Sequence, residues 1–398
     1  MLKGKTVVLG VTGGIAAYKA ADLASRLAKE GAEVYAVLTQ NATEFITPLT
    51  FETLTGHRAI TDTFDRNFEW KVSHISLAKK ADVLLIAPCT ANVMAKLAHG
   101  LADDMLTTTT LAMRCPKLIA PAMNTAMYEN PVTQRNLEIL RQDGFAIIEP
   151  AEGILACKDS GKGKLAPVDT LYDAVMQAVA FDKDLTGVRI LVTAGPTREA
   201  IDPVRYITNH SSGKMGYAVA QAAARRGAEV TLISGPCSLP VPYGVNFCPI
   251  SSADEMFEQV KSHFERQDIV IKAAAVGDYR PAEAADEKIK KSGDAMTLAL
   301  VKNPDILRYI GAHKHPGQIL CGFSMETQNL VENSTKKLRE KNCDMIVANN
   351  LRQKGAGFSV DTNIATVITA EGVQEYGVMT KDALAHAILD RLRVMRES

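Results

Sequence analysis

The stretch KTVVLGVTGGIAAYKAADLASRLAKEGAEVYAVLT, residues 5–39, decides the fold class of this chain. An apolar run over 6–11 is followed by a glycine-rich turn, an alanine-rich amphipathic segment over about 15–30 and a second apolar run over 33–39. Such runs predict strands that are buried on both faces, and the segment between them predicts a helix. A strand, a helix and a second strand in this order indicate a parallel, helix-covered sheet.

The same alternation continues to the end of the chain. Further strands are predicted at 82–88, 117–123, 145–150, 189–197, 229–235, 268–276, 318–323 and 344–350, and further helices at about 91–99, 170–180 and 215–227. The run RILVTAGPT at 189–197 repeats the order of basic residue, apolar strand and glycine turn with which the chain begins. We therefore predict the α/β class, with two doubly wound, mostly parallel-sheet (Rossmann-like) domains at 1–183 and 187–398.

Composition narrows the classes of partner. A chain of 398 residues is long enough for two hydrophobic cores, and its 45 basic and 45 acidic residues cancel. Zero net charge argues against nucleic acid or an anionic membrane as the partner. The seven cysteines form no C-x-x-C pair, and no apolar run approaches the roughly 18 residues of a membrane span. We expect a cytoplasmic protein whose partners are small molecules.

The turn Gly10–Gly14 follows the first strand and opens a helix, where backbone N–H groups can hold a phosphate. Its spacing is not G-x-G-x-x-G, so a tight turn without a ligand is an equal alternative. The second strand ends in Leu38-Thr39-Gln40, without the acidic residue that usually holds the ribose of NAD. A mononucleotide such as FMN is therefore preferred over NAD.

Two further strand ends carry neutral polar groups. The third strand ends in APCTAN, Ala87 to Asn92, and the next in APAMN, Ala120 to Asn124. If the sheet is wound as predicted, both lie beside the glycine turn, where they suit the edge of a flavin ring. The alternative is that Asn92 and Asn124 only cap helices.

Two residues of the first half, His74 and Cys157, could be either catalytic or merely structural. His74 begins a predicted helix, and a lone histidine is more often structural than catalytic. Cys157 lies in EGILACKDSGKGKL, a lysine- and glycine-rich stretch without a strand or helix pattern. We interpret this stretch as a lid loop with a thiol of lowered pKa, against the alternative of an inert surface cysteine.

The second half contains NHSSGKMG, Asn209 to Gly216, which is not a Walker A loop, because the first glycine is absent and Met215 replaces the hydroxyl residue that holds magnesium. Ser211 and Ser212 precede a helix, where they can hold phosphate oxygens; a solvated turn is the alternative. Asp278, in AAAVGDYRP, suits a magnesium-bound triphosphate. The run KIKK that follows is usually only a solvated face.

Several long motifs in the same order carry a family resemblance. The first half contains GVTGGIAAYK, SHISLAKKADVLLIAPCTANVMAKLAHGLADDML, PAMNTAMYENP and LACKDSGKGKL, and the second contains TAGPTREAIDPVRYITNHSSGKMG. The first set resembles the flavin-dependent cysteine decarboxylases. Nearly the whole chain resembles the bifunctional coenzyme A biosynthesis proteins, in which a phosphopantothenoylcysteine decarboxylase is fused to a phosphopantothenate–cysteine ligase.

For the first half, the resemblance implies FMN-dependent oxidative decarboxylation followed by re-reduction. It makes His74 the catalytic histidine, Asn124 the group on the substrate carboxylate and Cys157 the proton donor. The residues expected to contact FMN are Gly13, Gly14, Ile15, Thr39, Pro88, Thr90 and Asn92.

For the second half, the resemblance implies activation of 4'-phosphopantothenate by CTP as an acyl-cytidylate, then attack by the cysteine amine. Asn209 would hold the acyl-nucleotide and Lys288 would contact the reacting phosphate, while Asp278 would hold Mg²⁺ directly or indirectly. The remaining residues expected to contact CTP are Ser211, Ser212, Pro304, Asp305, Ile306, Leu307, Phe323, Lys337 and Lys341.

Two other functions compete with this interpretation. Relatives of the first half include flavoproteins that act as regulatory subunits, but the presence of His74 and Cys157 and of a complete second half argues against that role. A decarboxylase acting on peptide C-terminal cysteines would leave the second half unexplained. The resemblance also implies a homo-oligomer, with trimeric contacts through the first half and dimeric contacts through the second, which together form a dodecamer.

Overall fold

The computed structural model describes residues 2–64, 73–154, 160–290, 296–326, 328–350 and 360–397. The chain divides into two compact units, Met1–Asp182 and Lys183–Ser398. Each unit contains a mostly parallel sheet with helices on both faces. The predicted α/β class with two doubly wound domains is confirmed.

The first unit is built around a fully parallel five-stranded sheet of order β2-β1-β3-β4-β5. Its strands are β1 Thr6–Val11, β2 Glu33–Leu38, β3 Val83–Cys89, β4 Lys117–Pro121 and β5 Phe145–Ile147, followed by β6 Ala151–Ile154 and β7 Ser160–Lys164. Its helices are α1 Ala17–Lys29, α2 Gln40–Thr43, α3 Pro48–Thr55, α4 Ser73–Lys80, α5 Ala91–Ala98, α6 Met105–Ala112, α7 Thr125–Glu129, α8 Pro131–Gln142 and α9 Val168–Val179. The strands β1 to β4 are almost entirely buried, as their apolar sequences predict.

The expectation that 152–165 has no strand pattern is wrong for its described part. Strands β6 and β7 pair antiparallel as a separate two-stranded ribbon. The glycines Gly153, Gly161 and Gly163 within it have φ of 148°, 157° and 139°, values that β-branched residues avoid. Polar residues and glycines replace the apolar alternation by which strands are recognised, so propensity predicts a loop.

The second unit contains an eight-stranded sheet of order β12-β11-β8-β13-β16-β17-β18-β19. Its strands are β8 Arg189–Ala194, β9 Arg198–Ala200, β10 Tyr206–Thr208, β11 Glu229–Ser234, β12 Val245–Pro249, β13 Ile269–Lys272, β14 Tyr279–Pro281, β15 Leu300–Lys302, β16 Ile319–Glu326, β17 Met345–Asn350, β18 Thr362–Thr369 and β19 Gly372–Thr380. Its helices are α10 Lys214–Arg225, α11 Ala253–His263, α12 Ile306–His313, α13 Leu330–Glu340 and α14 Lys381–Glu397. The strands from β12 to β17 are parallel, whereas β18 and β19 extend the sheet antiparallel.

Two separate apolar clusters cover the faces of this second sheet. Helices α10 and α14 pack on one face, where Ala220, Ala223 and Leu389 are buried. Helices α11, α12 and α13 contribute to the cluster on the other, which includes Met256 and Ile310. A helix layer on each face makes the fold doubly wound and leaves the sheet's strand ends as the places where loops can form a site.

Among the described residues, no helix combines the length and apolar character that crossing a membrane requires.

Close packing of α12 against the chain that follows α13 gives a test of this fold. An added Cβ at Gly311 would lie 1.8 Å from the carbonyl oxygen of Lys341, a backbone atom that has no freedom to rotate away. We predict that Gly311→Ala destabilises the second unit by about 2 kcal/mol or more, because overpacking forces backbone shifts. Differential scanning calorimetry should show a lower melting transition for this unit and an unchanged one for the first.

The matched control is Gly377→Ala in β19, where an added Cβ meets nothing within 4 Å. Equal melting temperatures for the two variants would contradict the predicted packing of α12.

Candidate functional site

In each unit, adjacent parallel strands whose connections leave in opposite directions create a crevice at their carboxyl ends. In the first unit, these strands are β1 and β3. The buried Thr12 joins their ends: its hydroxyl donates to the carbonyl of Pro88 at 2.8 Å and accepts from the N–H of Thr90 at 3.0 Å. The glycine turn and the APCTAN segment are therefore held side by side.

A cavity of about 470 Å³ lies at this crevice and is called here the flavin cavity. It is lined by Gly13, Gly14, Ile15, Ala16, Tyr18, Lys19, Thr90, Ala91, Ala122, Met123, Asn124, Met127, Ile154, Gly163, Lys164 and Leu165. Four of the residues expected to contact FMN, Gly13, Gly14, Ile15 and Thr90, are in this lining. Thr39 and Pro88 are buried outside it, and Asn92 is exposed on α5.

The residues of this cavity fit a flavin mononucleotide. Helix α1 begins at the cavity without a side-chain cap among the described residues, so its N-terminal N–H groups suit a phosphate. An added Cβ at Gly14 would meet only Thr90, at 4.0 Å, which leaves the turn open to close approach by a ligand. The exposed side chains of Ile15, Tyr18 and Met127 offer apolar surface for a ring system.

Asn124 both caps a helix and faces the flavin cavity. Its Oδ1 accepts from the N–H of Ala126 at 2.9 Å, at the start of α7. The cap that begins α5 is Thr90, so the alternative that assigned this role to Asn92 is wrong. The N–H of Met123 donates to the carbonyl of Gly163 at 2.9 Å, which ties the ribbon strand β7 to the loop carrying Asn124.

Of the other two residues predicted to be catalytic in the first unit, His74 is not in this lining. His74 is the second residue of α4 and is half-buried. Cys157 and the neighbouring Lys158 lie outside the described residues.

The second unit has its crevice between β8 and β13. Along it lies a cavity of about 440 Å³, called here the lysine cavity, which is lined by Lys272, Val276, Gly277, Asp278, Tyr279, Lys302, Asn303, Pro304, Asp305, Ile306, Leu307, Lys337 and Lys341. Seven of the residues expected to contact CTP are in this list. Phe323, another of them, accepts a 2.8 Å hydrogen bond at its carbonyl from Nζ of Lys337.

Charge is partly compensated within the lysine cavity. Asp305 caps α12 by accepting from the N–H of Arg308 at 3.0 Å, and its other carboxylate oxygen accepts from Nζ of Lys341. Burial disfavours the charged carboxylate, but the hydrogen bonds and positive charges of Lys341 and Arg308 together hold the pKa of Asp305 below its usual value. The pKa of Lys337 is lowered, chiefly by burial.

The described residues contain no group of three or more candidate metal ligands. Asp278 and Asp305 are the two carboxylates of the lysine cavity. One or two carboxylates fit Mg²⁺ when a substrate phosphate completes its coordination.

A second cavity of this unit, about 520 Å³, is called here the serine-loop cavity. Asn209, Ser211 and Ser212 line it together with Pro196, Arg198, Tyr206, Thr208, His210, Lys214, Pro236, Cys237, Ser238 and Leu239. Nδ2 of Asn209 donates to the carbonyls of Ala275 and Val276 at 3.2 and 3.1 Å. Because Val276 lines the lysine cavity, Asn209 lies where the two cavities adjoin.

Lys288 is exposed and is in neither lining, but its neighbour Ile289 is held firmly. The N–H of Ile289 donates to Oδ2 of Asp202 at 3.2 Å, and its carbonyl accepts from Nη2 of Arg205 at 3.0 Å. The hydrogen bond from Arg205 holds the pKa of the Asp202 carboxyl well below its usual value. Lys291, in the same basic run, lies outside the described residues.

The sequence interpretation gave no role to four lysine and arginine side chains of these linings: Lys272, Lys302, Arg198 and Lys214. Lys272 had a usable signal, because it is a lysine within the otherwise apolar run DIVIKAAAV. A charged side chain is rarely buried unless it is paired, so a lysine at the end of a buried strand indicates a partner or a ligand.

Together, these features define a two-unit α/β protein of the flavoprotein class, with a glycine-lined cavity in one unit and a lysine-rich cavity in the other. Residues 1–180 match the family model described as Flavoprotein, and residues 185–395 match the model described as DNA/pantothenate metabolism flavoprotein C-terminal domain. The chain is 47% identical over 399 residues to the coenzyme A biosynthesis bifunctional protein CoaBC of Bacillus subtilis, covering 99% of this chain and 98% of the relative. It is 45% identical to the protein of the same name from Vibrio vulnificus, covering 99% and 98%. The chain therefore belongs to the CoaBC family of bifunctional coenzyme A biosynthesis proteins.

Among solved structures, the crystal structure of the C-terminal domain of a CoaBC protein is similar to part of this chain. It has 45% sequence identity and a TM-score of 0.47, and the match covers 54% of this chain and 99% of that structure.

The hydrogen bonds that Asp202 and Arg205 form with the backbone of Ile289 can be tested directly. We predict that Asp202→Asn speeds amide hydrogen exchange across residues 286–290, because the amide group cannot pair with Arg205 as a carboxylate does. Since the pKa of Asp202 is lowered in the folded state, its stabilisation is fully present above about pH 4, the usual range of the unfolded carboxyl group, and is lost as pH falls through the folded-state value.

Exchange mass spectrometry at pH 7 compares this variant with Glu283→Gln, which changes an exposed carboxylate near the same loop. Unchanged exchange in Asp202→Asn would show that the carboxylate does not hold the loop.

Proposed function

We propose that this chain converts 4'-phosphopantothenate to 4'-phosphopantetheine in two reactions. The half at 187–398 is the ligase that joins cysteine to 4'-phosphopantothenate with CTP, and the half at 1–183 is the FMN-dependent decarboxylase of the product. The observation that carries the proposal is that each switch-point cavity is lined by residues of the family's motifs, including Asn124 in the flavin cavity and Asn209 beside the lysine cavity.

In the ligase half, we assign the nucleotide to the lysine cavity. Lys337 and Lys341 would neutralise phosphate oxygens of CTP, and Asp278 would hold a Mg²⁺ ion on the triphosphate. The carboxylate of 4'-phosphopantothenate attacks the α-phosphorus, pyrophosphate leaves, and an acyl-cytidylate forms. Lys288 would contact the reacting phosphate, on the loop that Asp202 and Arg205 hold in place.

Asn209 would then hold the acyl-cytidylate while the cysteine amine displaces CMP. Its position at the junction of the two cavities supports this role. The serine-loop cavity, with Arg198, His210 and Lys214 in its lining, suits the phosphate end of 4'-phosphopantothenate. Ser211 and Ser212 would bind phosphate oxygens there rather than in the lysine cavity.

In the decarboxylase half, FMN supplies reversible two-electron oxidation of the cysteinyl thiol, which makes loss of carbon dioxide possible. The backbone of Gly13 and Gly14 and the first turn of α1 would hold its phosphate. Asn124 would bind the substrate carboxylate. His74 and Cys157 remain the proposed catalytic residues, with Cys157 donating the proton that the product carbon needs.

We also propose that the chain is a homo-oligomer, with trimeric contacts through the first half and dimeric contacts through the second in a dodecamer. The flavin cavity supports the first of these contacts. Large apolar side chains at this cavity are exposed in the single chain: Ile15 by 62%, Tyr18 by 61%, Met127 by 50% and Ile154 by 71%. Apolar surface of this extent is typical of a surface that a ligand or another subunit covers.

The proposal is tested with the purified full chain, FMN, 4'-phosphopantothenate, cysteine, CTP and Mg²⁺. We expect release of pyrophosphate and carbon dioxide in equal amounts. Release of pyrophosphate without carbon dioxide would contradict the proposed decarboxylase activity. If carbon dioxide formed only when phosphopantothenoylcysteine was supplied, the proposed ligase activity would be contradicted.

Substitution should separate the two reactions. We predict that His74→Asn binds FMN and keeps the full rate of pyrophosphate release while carbon dioxide release falls by about 100-fold or more, as is usual when an acid–base group is lost. Parallel assays of the two products measure this directly.

The reciprocal control is Lys288→Gln, in which pyrophosphate release should fall while supplied phosphopantothenoylcysteine is decarboxylated normally. Normal carbon dioxide release by His74→Asn would rule out the catalytic role of that histidine.

A further inference from the structure

Lys272 occupies a fixed place at the base of the lysine cavity. It is the last residue of β13, after three residues that are fully buried, and it pairs in register with Thr193 of β8 and Gly322 of β16. The next residue is held as well, because the N–H of Ala273 donates to the carbonyl of Thr193 at 3.1 Å. The backbone of Lys272 is therefore fixed from both sides, and its side chain lines the cavity.

The ammonium group of Lys272 has an unusual partner for a cation in this position. Its Nζ donates to the carbonyl of Ala274 at 3.1 Å, and no described carboxylate forms an ion pair with it. Lys341, in the same cavity, is paired with Asp305. An ammonium group donates three hydrogen bonds, so Lys272 retains the capacity to bind an anion.

The charged groups around Lys272 come from several elements. Lys337 and Lys341 face the cavity from α13 and the residue after it, and Lys302 does so from β15, while Asp278 and Asp305 are the acidic groups. Burial, and next the positive charge of Lys337, lower the pKa of Lys272 to about 8, against the smaller opposing effects of Asp305 and Asp278. A charged ammonium is thus costly here without an anion beside it.

We infer that Lys272 binds a phosphate oxygen of the nucleotide in the ligase reaction. The inference rests on the proposed assignment of CTP to the lysine cavity and adds a contact that the family motifs did not indicate. A triphosphate beside Nζ would supply the missing negative charge, and a charge-assisted hydrogen bond to a rigidly placed donor is the stronger kind. Loss of this contact should weaken CTP binding about tenfold to 100-fold.

Proton linkage distinguishes this role from a merely structural one. If an anion binds next to Lys272, the pKa of the ammonium rises, so the site takes up a proton when CTP binds at a pH near the free value of about 8. Because only the protonated lysine attracts the phosphate, affinity for CTP should fall as pH rises above 8. Uptake at pH 8 should be about half a proton per chain, because about half of the free lysine is then neutral.

The experiment is titration calorimetry of the full-length chain with CTP and Mg²⁺ at pH 8, without 4'-phosphopantothenate, so that no turnover occurs. Repeating it in two buffers of different ionisation enthalpy gives the number of protons bound. Lys272→Met should bind CTP at least about tenfold more weakly and lose most of the proton uptake. The same titration of Lys337→Met measures how much of the proton uptake comes from Lys337, the other lysine of the cavity with a lowered pKa.

The matched control is Lys336→Met, which removes an exposed ammonium from α13 and should bind CTP as the unchanged chain does. CTP binding by the unchanged chain without proton uptake would overturn the role of Lys272, as would unchanged affinity in Lys272→Met. If Lys272→Met fails to fold, absence of proton uptake by the unchanged chain still overturns the proposal, and uptake that persists in Lys337→Met still supports it. Absence of CTP binding by the unchanged chain would overturn the cavity assignment itself, and the inference with it.

Discussion

Both halves depend on one constraint: two neighbouring parallel strands must stay together where their connections diverge. A threonine at the end of the first strand meets this need in each half. Thr12 binds the backbone of Pro88 and Thr90 across the first crevice, and the hydroxyl of Thr193 accepts from the N–H of Ala274 at 3.3 Å across the second. The short similarity between GVTGG and LVTAG therefore has a structural counterpart, although the two cavities differ in charge.

The fold was largely predictable because the central strands are apolar throughout. Runs such as 33–39 and 229–235 read as buried strands, and the structure places strands there. The predicted strand 268–276 was too long, since it ends at Lys272, where the chain enters the cavity loop. The antiparallel edge strand Gly372–Thr380 was missed because most of its residues are exposed, so no buried run marks it.

Site residues were predictable where a motif lies at a strand end. They were less predictable where packing in space determines which residue caps a helix or lines a cavity. Asp278 and Asp305 were found in this way, and both line the lysine cavity. The helix cap at Thr90 rather than Asn92 depends on the residue at which α5 begins, a detail that propensity does not resolve. Lys272 was missed because an apolar run was interpreted as core, although a cation at the end of a strand has to be compensated.

Asp305 bears on product release in the proposed ligase reaction. One of its oxygens caps α12 and the other holds Lys341, so a nucleotide that bound Lys341 would have to compete with a carboxylate fixed in place. A triphosphate could engage several lysines at once, whereas CMP would retain a single phosphate group after pyrophosphate had left. Lys341 would then return to Asp305, and the hold on the spent nucleotide would weaken. The carboxylate that balances charge in the free protein would thus favour release of the product over its retention.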